Sequence, residues 1–489
     1  MRYDVINIGA RAASAWLFER GAVVTEDYHE PSCFSRTMRC GDVIRTPDLT
    51  SVRPLPTIAA LTAKFVPWRC RGTHPATVHG EGGSEMRRTH ASRRDMRGWA
   101  VAVVTGLLLL TGVASSLAGE APNEIRIGAT LALSGRFTPM VGSFDRLCYS
   151  WAKLVNGRGG IYVKAYEKRL PVKFIIYDDK SEPAESAKFY ERLVTVDKVH
   201  ILLGPFSSHI TKAAVTVADK YKIPMVMAEA NDAKIFEERY KYSVNQVDLA
   251  DTESYGYLEL LAAEGRVKTI AFVAEDTLHS TGALRGGVTR ARALGLEVVL
   301  EEIAPPDAKD FTAIILKLKK ADPDVVYVEA FPGFEIPFMK QAFELGLKPR
   351  EFFNGHIVEA VLKALGPRAE GLAGVVYWAP GLPYPGGDDF ELVLKDAGIE
   401  WAKQMESSIH FQAFQVIQQA IEKAASLDPE ELNKVLHEAK FDTLAGEIRH
   451  TEHGLGNSRS YPVQVQGGAL KVVWPKELAA AKHIYPSVK

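Results

Sequence analysis

Few stretches of this 489-residue chain place reactive side chains at spacings that chemistry requires. His450-Thr451-Glu452-His453 sets two imidazoles and a carboxylate close together, a donor set of the kind that holds metals. Gly454 and Gly456 follow at once, so the stretch reads as a solvated turn rather than a rigid metal site. Asp4 to Arg11 (DVINIGAR) imitates a strand entering a dinucleotide-binding turn. Arg11 and Ser14 stand where the second and third glycines belong, so the backbone could not approach a pyrophosphate. Gly282–Gly287 (GALRGG) is a loose glycine cluster, simpler as a helix start beside a cleft than as a phosphate cradle. The chain carries no G-x-S-x-G elbow, no Walker loop and no paired cysteines for zinc. The expectation is no enzyme, no cofactor and no metal.

The charges are unevenly spread. Up to Ala118 there are 14 Arg and 1 Lys against 10 acids; from Gly119 onward there are 15 Arg and 29 Lys against 50 acids, a net of −6. A mildly acidic body argues against nucleic acid, whose phosphates need a basic face. Cys33, Cys40 and Cys70 lie upstream, so Cys148 is left alone in the body and reads as a small buried residue.

The junction between the two compositions reads as an export signal. Met86 opens an arginine-rich stretch, an apolar run extends from Trp99 to Ala114, and Ser116-Leu117-Ala118 supplies a small-x-Ala cleavage site. Residues 86–118 are therefore expected to be a signal peptide cleaved near Ala118, which would send the body to the periplasm. A signal belongs at an N-terminus. Residues 1–85 are accordingly expected to be unstructured, the product of a start assigned too early.

From Glu124 the chain alternates strand-like apolar runs with amphipathic helices. The runs are Ile125–Leu133, Val172–Tyr177, Ile201–Leu203, Pro224–Ala228, Thr269–Ala274, Val298–Glu301, Val325–Glu329 and Val375–Trp378. Asp310 is placed to cap a helix whose Phe311, Ile314, Ile315 and Leu318 share one face; Ile417, Ala420, Ile421 and Ala424 repeat that spacing. Such alternation predicts α/β architecture with doubly wound parallel sheets, whose ligands bind at the carboxyl ends of the strands.

Several stretches in order resemble the periplasmic solute-binding proteins of ABC transporters, of the Leu/Ile/Val-binding type. IRIGATLALSGRF (125–137) is similar to the family's first strand and Ser-Gly turn, and Asn156 to Ile161 to its N-x-x-G-G-I. Tyr177-Asp178-Asp179, Gly204 to Ser208, Asp310-Phe311, Gly446 to Ile448 and Val463 to Pro475 match later landmarks, so the resemblance covers 124–475. It implies two doubly wound parallel-sheet lobes joined by a three-crossing hinge, the flytrap-like type I periplasmic-binding fold. Lobe one is expected at 124–246 plus 378–446, and lobe two at 247–377 plus 447–489.

The resemblance also implies a ligand site. Ser208, with Ser207 beside it, would hold a ligand carboxylate. The Ala228-Glu229-Ala230-Asn231 loop stands where the family carries a hydroxyl, so Asn231 replaces it and Glu229 adds a carboxylate. His279 occupies the place of the covering aromatic and Phe331 another. The family's ammonium-pairing acid would fall near His356-Ile357, where no acid stands; Glu329 and Glu359 do not align with it. Phe137, Met140, His279 and Phe331 suit an aromatic or apolar body. Trp378 reads as hinge or core. The expected contacts are thus Phe137, Ser207, Ser208, Glu229, Ala230, Asn231, His279, Phe331 and His356.

The expected function is a monomeric receptor that delivers an amino acid or related carboxylate to an ABC permease. The competing readings are a sensory receptor of the same fold and a binder of aromatic acids or amides.

Overall fold

The computed structural model describes residues 121–400 and 406–488, all within the compact unit Ala91–Lys489. The expected signal peptide and the segment 1–85 lie outside the described residues.

Two sheets organise the chain. The first is built from β1 (Ile125–Leu131), β4 (Val172–Asp178), β5 (Ile201–Leu203), β6 (Met225–Met227) and β7 (Ser243–Asn245), after a small hairpin of β2 (Ile161–Val163) and β3 (Lys168–Leu170). Its order is β4-β1-β5-β6-β7 and every pairing is parallel. The second holds β8 (Thr269–Glu275), β9 (Glu297–Ala304), β10 (Val325–Glu329), β11 (Glu351–Asn354) and β12 (Ala373–Val376). After the hairpin of β13 (Phe441–Thr443) and β14 (Gly446–Ile448), the chain returns to this second sheet with β15 (Tyr461–Gln466) and β16 (Ala469–Val472). There β15 pairs antiparallel with β12, so the second sheet is mixed at one edge rather than parallel throughout.

The apolar runs became strands because both faces of each sheet are covered by helices. All of β10 is buried, and β8 is buried beyond its first residue. Two strands lack that signature. β7 is only Ser-Val-Asn, and β11 is Glu-Phe-Phe-Asn with a fully buried acid at its start. Glu351 is tolerated because Tyr257 Oη–H and Gln464 Nε2–H donate to it (2.8 and 2.9 Å) and His483 lies 2.8 Å away.

The helix Ser407–Ala424 buries Phe411, Phe414, Ile417 and Ile421 against the first sheet's layer, with Phe414 stacked on Trp151 at 5.0 Å. Gly387–Ala397 packs on Phe144–Gly157. Cys148 is buried in that same layer, and Trp378 packs edge-to-face on Phe390 (5.1 Å).

Three chain segments run between the sheets and are fastened to one another. Asp248 N–H donates to the Ser458 carbonyl (3.0 Å) and Tyr377 Oη–H to Asp248 Oδ1 (2.9 Å). Asn245 N–H donates to the Gly454 carbonyl (2.8 Å), and Gly456 N–H to Asn245 Oδ1 (2.7 Å). A Cβ on Gly454 would meet the Ser243 carbonyl at 2.1 Å, and one on Gly456 the Asn245 carbonyl at 2.4 Å. These glycines therefore let the returning strand press on the end of β7. The neighbouring histidines share no metal-ligand geometry. His450 is buried with Nδ1–H donating to the Leu436 carbonyl (2.6 Å), while His453 is half-buried beside exposed Glu452.

Candidate ligand-binding cleft

The carboxyl ends of β1, β5 and β6 on one side face those of β8, β10, β11 and β12 on the other. The loops there enclose a cavity of about 50 Å³. That is the room of a few water molecules at about 10–15 Å³ each. Its lining includes Ser207, Ser208, Glu229, Asn231, His279, Phe331 and His356.

The first-sheet wall grows from two loops. Ser207 ends the β5 loop at φ 72° and ψ 143°, a conformation costly for a residue with a Cβ and characteristic of ligand-holding turns. It caps the helix Ser208–Tyr221, accepting from Ile210 N–H (3.4 Å). Ser208 Oγ accepts from both Asn231 N–H and Asp232 N–H (3.2 Å each), which ties the β6 loop to the helix N-terminus. Glu229 is buried and lies 2.8 Å from His410 Nδ1, off the hydrogen-bond axis. Burial pushes the carboxyl groups of Glu229 and Glu406 well above the usual range and pulls His410 down to about 3.

The second-sheet wall is charged. His279 Nδ1–H donates to Asn231 Oδ1 (2.9 Å), while its Nε2 stands 3.4 Å from Glu329 and 3.7 Å from Glu253. Burial disfavours the imidazolium, but the carboxylates of Glu329 and Glu253 prevail and raise its pKa to about 9. Burial also opposes ionisation of Glu329; the His279 cation and a hydrogen bond from Tyr327 Oη–H (2.9 Å) outweigh it and hold the carboxyl below the usual range. Glu253 rises to about 7 through burial, partly countered by His279 and reinforced by the Glu329 charge. His356 falls to about 4 by burial, with Nδ1–H donating to the Ala330 carbonyl (3.2 Å).

Glycines allow this crowding. A Cβ on Gly355 would fall 2.1 Å from Glu329 Oε1, and one on Gly286 would fall 1.7 Å from the Asp251 carbonyl. The GALRGG glycines lie within the helix Leu278–Ala293, beyond its start. They let the helix that carries His279 pack tightly on the short helix Ala250–Glu253.

Phe137 sits outside this cavity, in a hollow of about 480 Å³ at the cleft mouth that also touches Arg136, Ser207, His279 and Phe331. There Phe137, Phe206 and Phe331 meet edge-to-face at 5.0–5.9 Å, and Arg136 bridges to buried Glu275 across the cleft (2.9 Å). Ala230 lines neither space; its carbonyl accepts from Asn245 Nδ2–H (3.2 Å). Met140 is core and Glu359 is exposed. The residues that sequence reasoning missed are Glu253, Tyr377 and Glu406, with Glu329 a fourth that a linear alignment sets aside. Glu253 and Glu406 are unremarkable acids in sequence. Glu329, at the end of an apolar strand, carried the readable signal.

The family model described as "Periplasmic binding protein" matches residues 124–469. A Leu/Ile/Val-binding protein homolog 1 from Brucella melitensis is 25% identical over 354 residues, covering 71% of this chain and 92% of that protein. A leucine-, isoleucine-, valine-, threonine-, and alanine-binding protein of Pseudomonas aeruginosa is 24% identical, covering 66% and 86%. Among solved structures, a branched-chain amino acid binding protein of Streptococcus pneumoniae in complex with isoleucine superposes with TM-score 0.63 at 17% identity, over 74% of this chain and all of the other. A solute-binding protein of Rhodopseudomonas palustris in complex with 3,4-dihydroxy benzoic acid superposes with TM-score 0.62 at 20% identity, covering 71% and 95%. These relatives and neighbours are substrate-binding proteins. With its two facing α/β sheets and interlobe cleft, the chain belongs to the periplasmic binding proteins, in the type I group that includes the Leu/Ile/Val-binding proteins.

Proposed function

We propose that this protein is the extracytoplasmic receptor of an ABC importer, exported by the signal at 86–118, and that it captures a small amino acid and delivers it to a membrane permease. The observation that carries the ligand class is the opposition of two cleft walls. Glu253 lines the cavity as an acceptor for an ammonium group, and the Glu329 carboxylate stands 3.4 Å from the lining residue His279. The N-terminus of the helix Ser208–Tyr221, with Ser207 and Ser208, offers the environment a carboxylate prefers. A zwitterion matches both walls, and only a ligand that touches both favours closure. The names of the curated relatives, which bind leucine, isoleucine and valine, support the same class.

An aromatic acid is the second reading, favoured by the cluster of Phe137, Phe206 and Phe331 at the mouth and by neighbours solved with benzoate-type ligands. It suits the acidic wall poorly, because a lone carboxylate would meet Glu253 and Glu329 without a cation of its own.

Thermal unfolding of the purified protein, stripped of carried ligand by unfolding and refolding, separates the readings. Leucine, isoleucine or valine at 100 times Kd is expected to add about 2.7 kcal/mol of stability. Stabilisation by 4-hydroxybenzoate and benzoate but by no amino acid would replace the first reading with the second.

A further inference from the structure

We propose that a divalent first-row transition metal ion is a second ligand class of this cleft, held by His279, Glu329 and His356 with Glu253 in reach as a fourth donor. The inference rests on the reading of the cleft as the ligand site. One ring nitrogen from each histidine and one oxygen of Glu329 lie within 4.8 Å of one another. The edges are 3.4 Å from His279 Nε2 to Glu329 Oε1 and 3.6 Å from His356 Nδ1 to the same oxygen, and a metal there would take the place of the proton that His356 Nδ1 shares with the Ala330 carbonyl. Bonds of about 2.0–2.2 Å give donor separations of about 3.3–3.6 Å. Glu253 Oε2 stands 3.7 Å from His279 Nε2.

Independent observations point to a ligand there. His279 Nε2 and Glu329 Oε1 face each other at 3.4 Å without an aligned hydrogen bond, and neither has another hydrogen-bond partner, although their side chains are nine-tenths or more buried. Buried polar atoms are almost always partnered, so the pair is aimed at something. The outer contacts are those that orient metal ligands. His279 Nδ1–H is fixed by Asn231 Oδ1, and Tyr327 Oη–H holds Glu329 Oε2. Gly355 leaves the space in which the Glu329 carboxylate lies. The adjoining cavity of about 50 Å³ suits an ion with one or two waters. Two imidazoles and a carboxylate form a donor set that favours zinc, nickel or copper over magnesium or calcium.

The test is calorimetric titration of zinc alone into the chelator-stripped protein, with cobalt as a spectroscopic probe. One zinc per chain is expected, with affinity falling more than tenfold in both His279→Gln and His356→Gln and unchanged in His453→Gln. Tyr327→Phe keeps all donors in place and is expected to weaken zinc by about 10–100-fold. Cobalt in the unmodified chain is expected to give the visible absorption of a tetrahedral nitrogen–oxygen site, which holds the proposal to account should a histidine variant fail to fold. Absence of zinc binding, or binding indifferent to His279→Gln and His356→Gln, overturns the metal site. If zinc fails to bind while leucine stabilises the protein, this inference falls and the transport reading stands. If zinc binds at these residues while no amino acid stabilises, the metal site stands and the amino acid reading falls.

Discussion

Both walls of the cleft contain a buried histidine beside a buried glutamate, yet the surroundings push the two pairs in opposite directions. On the first-sheet wall, His410 and Glu229 lie 2.8 Å apart, and burial pulls the imidazole down to about 3 and pushes the carboxyl well above the usual range, so it favours the uncharged form of each. On the second-sheet wall, His279 faces two carboxylates, and its pKa of about 9 keeps it a cation beside ionised Glu329. The side chains are the same; their surroundings differ. His279 gains from Glu253 as well as Glu329, a hydrogen bond to Asn231 and a helix packed close through Gly286. One wall thus disfavours charge, and the other holds it.

Gly355→Ala tests the charged wall most severely. The added methyl would fall 2.1 Å from Glu329 Oε1, so the carboxylate must leave its place beside His279. Overpacking of this kind costs about 1–3 kcal/mol, and leucine or zinc binding should fall steeply. Gly204→Ala is the matching change on the first-sheet wall. Its methyl meets Met227 Cα at 2.9 Å and the yielding Met227 Cγ at 3.2 Å, and the expected loss is smaller. Urea unfolding and ligand titration of both variants measure the difference. Equal losses from the two changes would erase the distinction between the walls.

The cross-cleft pair is expected to matter less. Arg136 is 40% exposed while its partner Glu275 is fully buried, and burial already raises the Glu275 carboxyl to about 7, against the pull of Arg136. In Arg136→Ala, Glu275 can take up a proton rather than remain a lone buried charge. The contribution of a half-exposed pair is about 1 kcal/mol or less. The readout is closure: a faster ligand off-rate and a larger radius of gyration in solution scattering. An unchanged off-rate would show that the phenylalanine cluster alone holds the mouth.

How much of this was legible in the sequence depended on which forces acted locally. The parallel strands were readable because β8 and β10 are apolar along nearly their whole length. β11 was not, because the partners that make Glu351 tolerable come from residues 257, 464 and 483. Ser207, Ser208, Asn231, His279, Phe331 and His356 were singled out from ordered motifs, and the structure brings them around one cavity. Glu253 and Glu406 gave no signal, since an acid in an amphipathic stretch looks solvated until a second lobe covers it. Glu329 was set aside because linear alignment compares positions, whereas the cavity is assembled from the ends of different strands.

The smallest effect expected concerns a second histidine packed on the second sheet, whose imidazolium is favoured as that of His279 is. His483 Nδ1 lies 2.8 Å from Glu264 and Nε2 2.8 Å from Glu351, so the imidazole clamps the C-terminal segment to β11 and the helix Tyr255–Glu264. Burial lowers its pKa, but the bonds to Glu351 and Glu264 outweigh burial and the net shift is upward. A raised folded-state pKa stabilises the fold wherever the imidazolium is present. The contribution is complete below the unfolded value of about 6.5 and is lost as pH rises through the higher folded value. His483→Gln should therefore lower the denaturation midpoint most below that unfolded value, and the gap to the unmodified protein should narrow at alkaline pH. A gap that widened with pH would mean that His483 is neutral in the fold. Lobe two would then not share the charged character that sets His279 apart from His410.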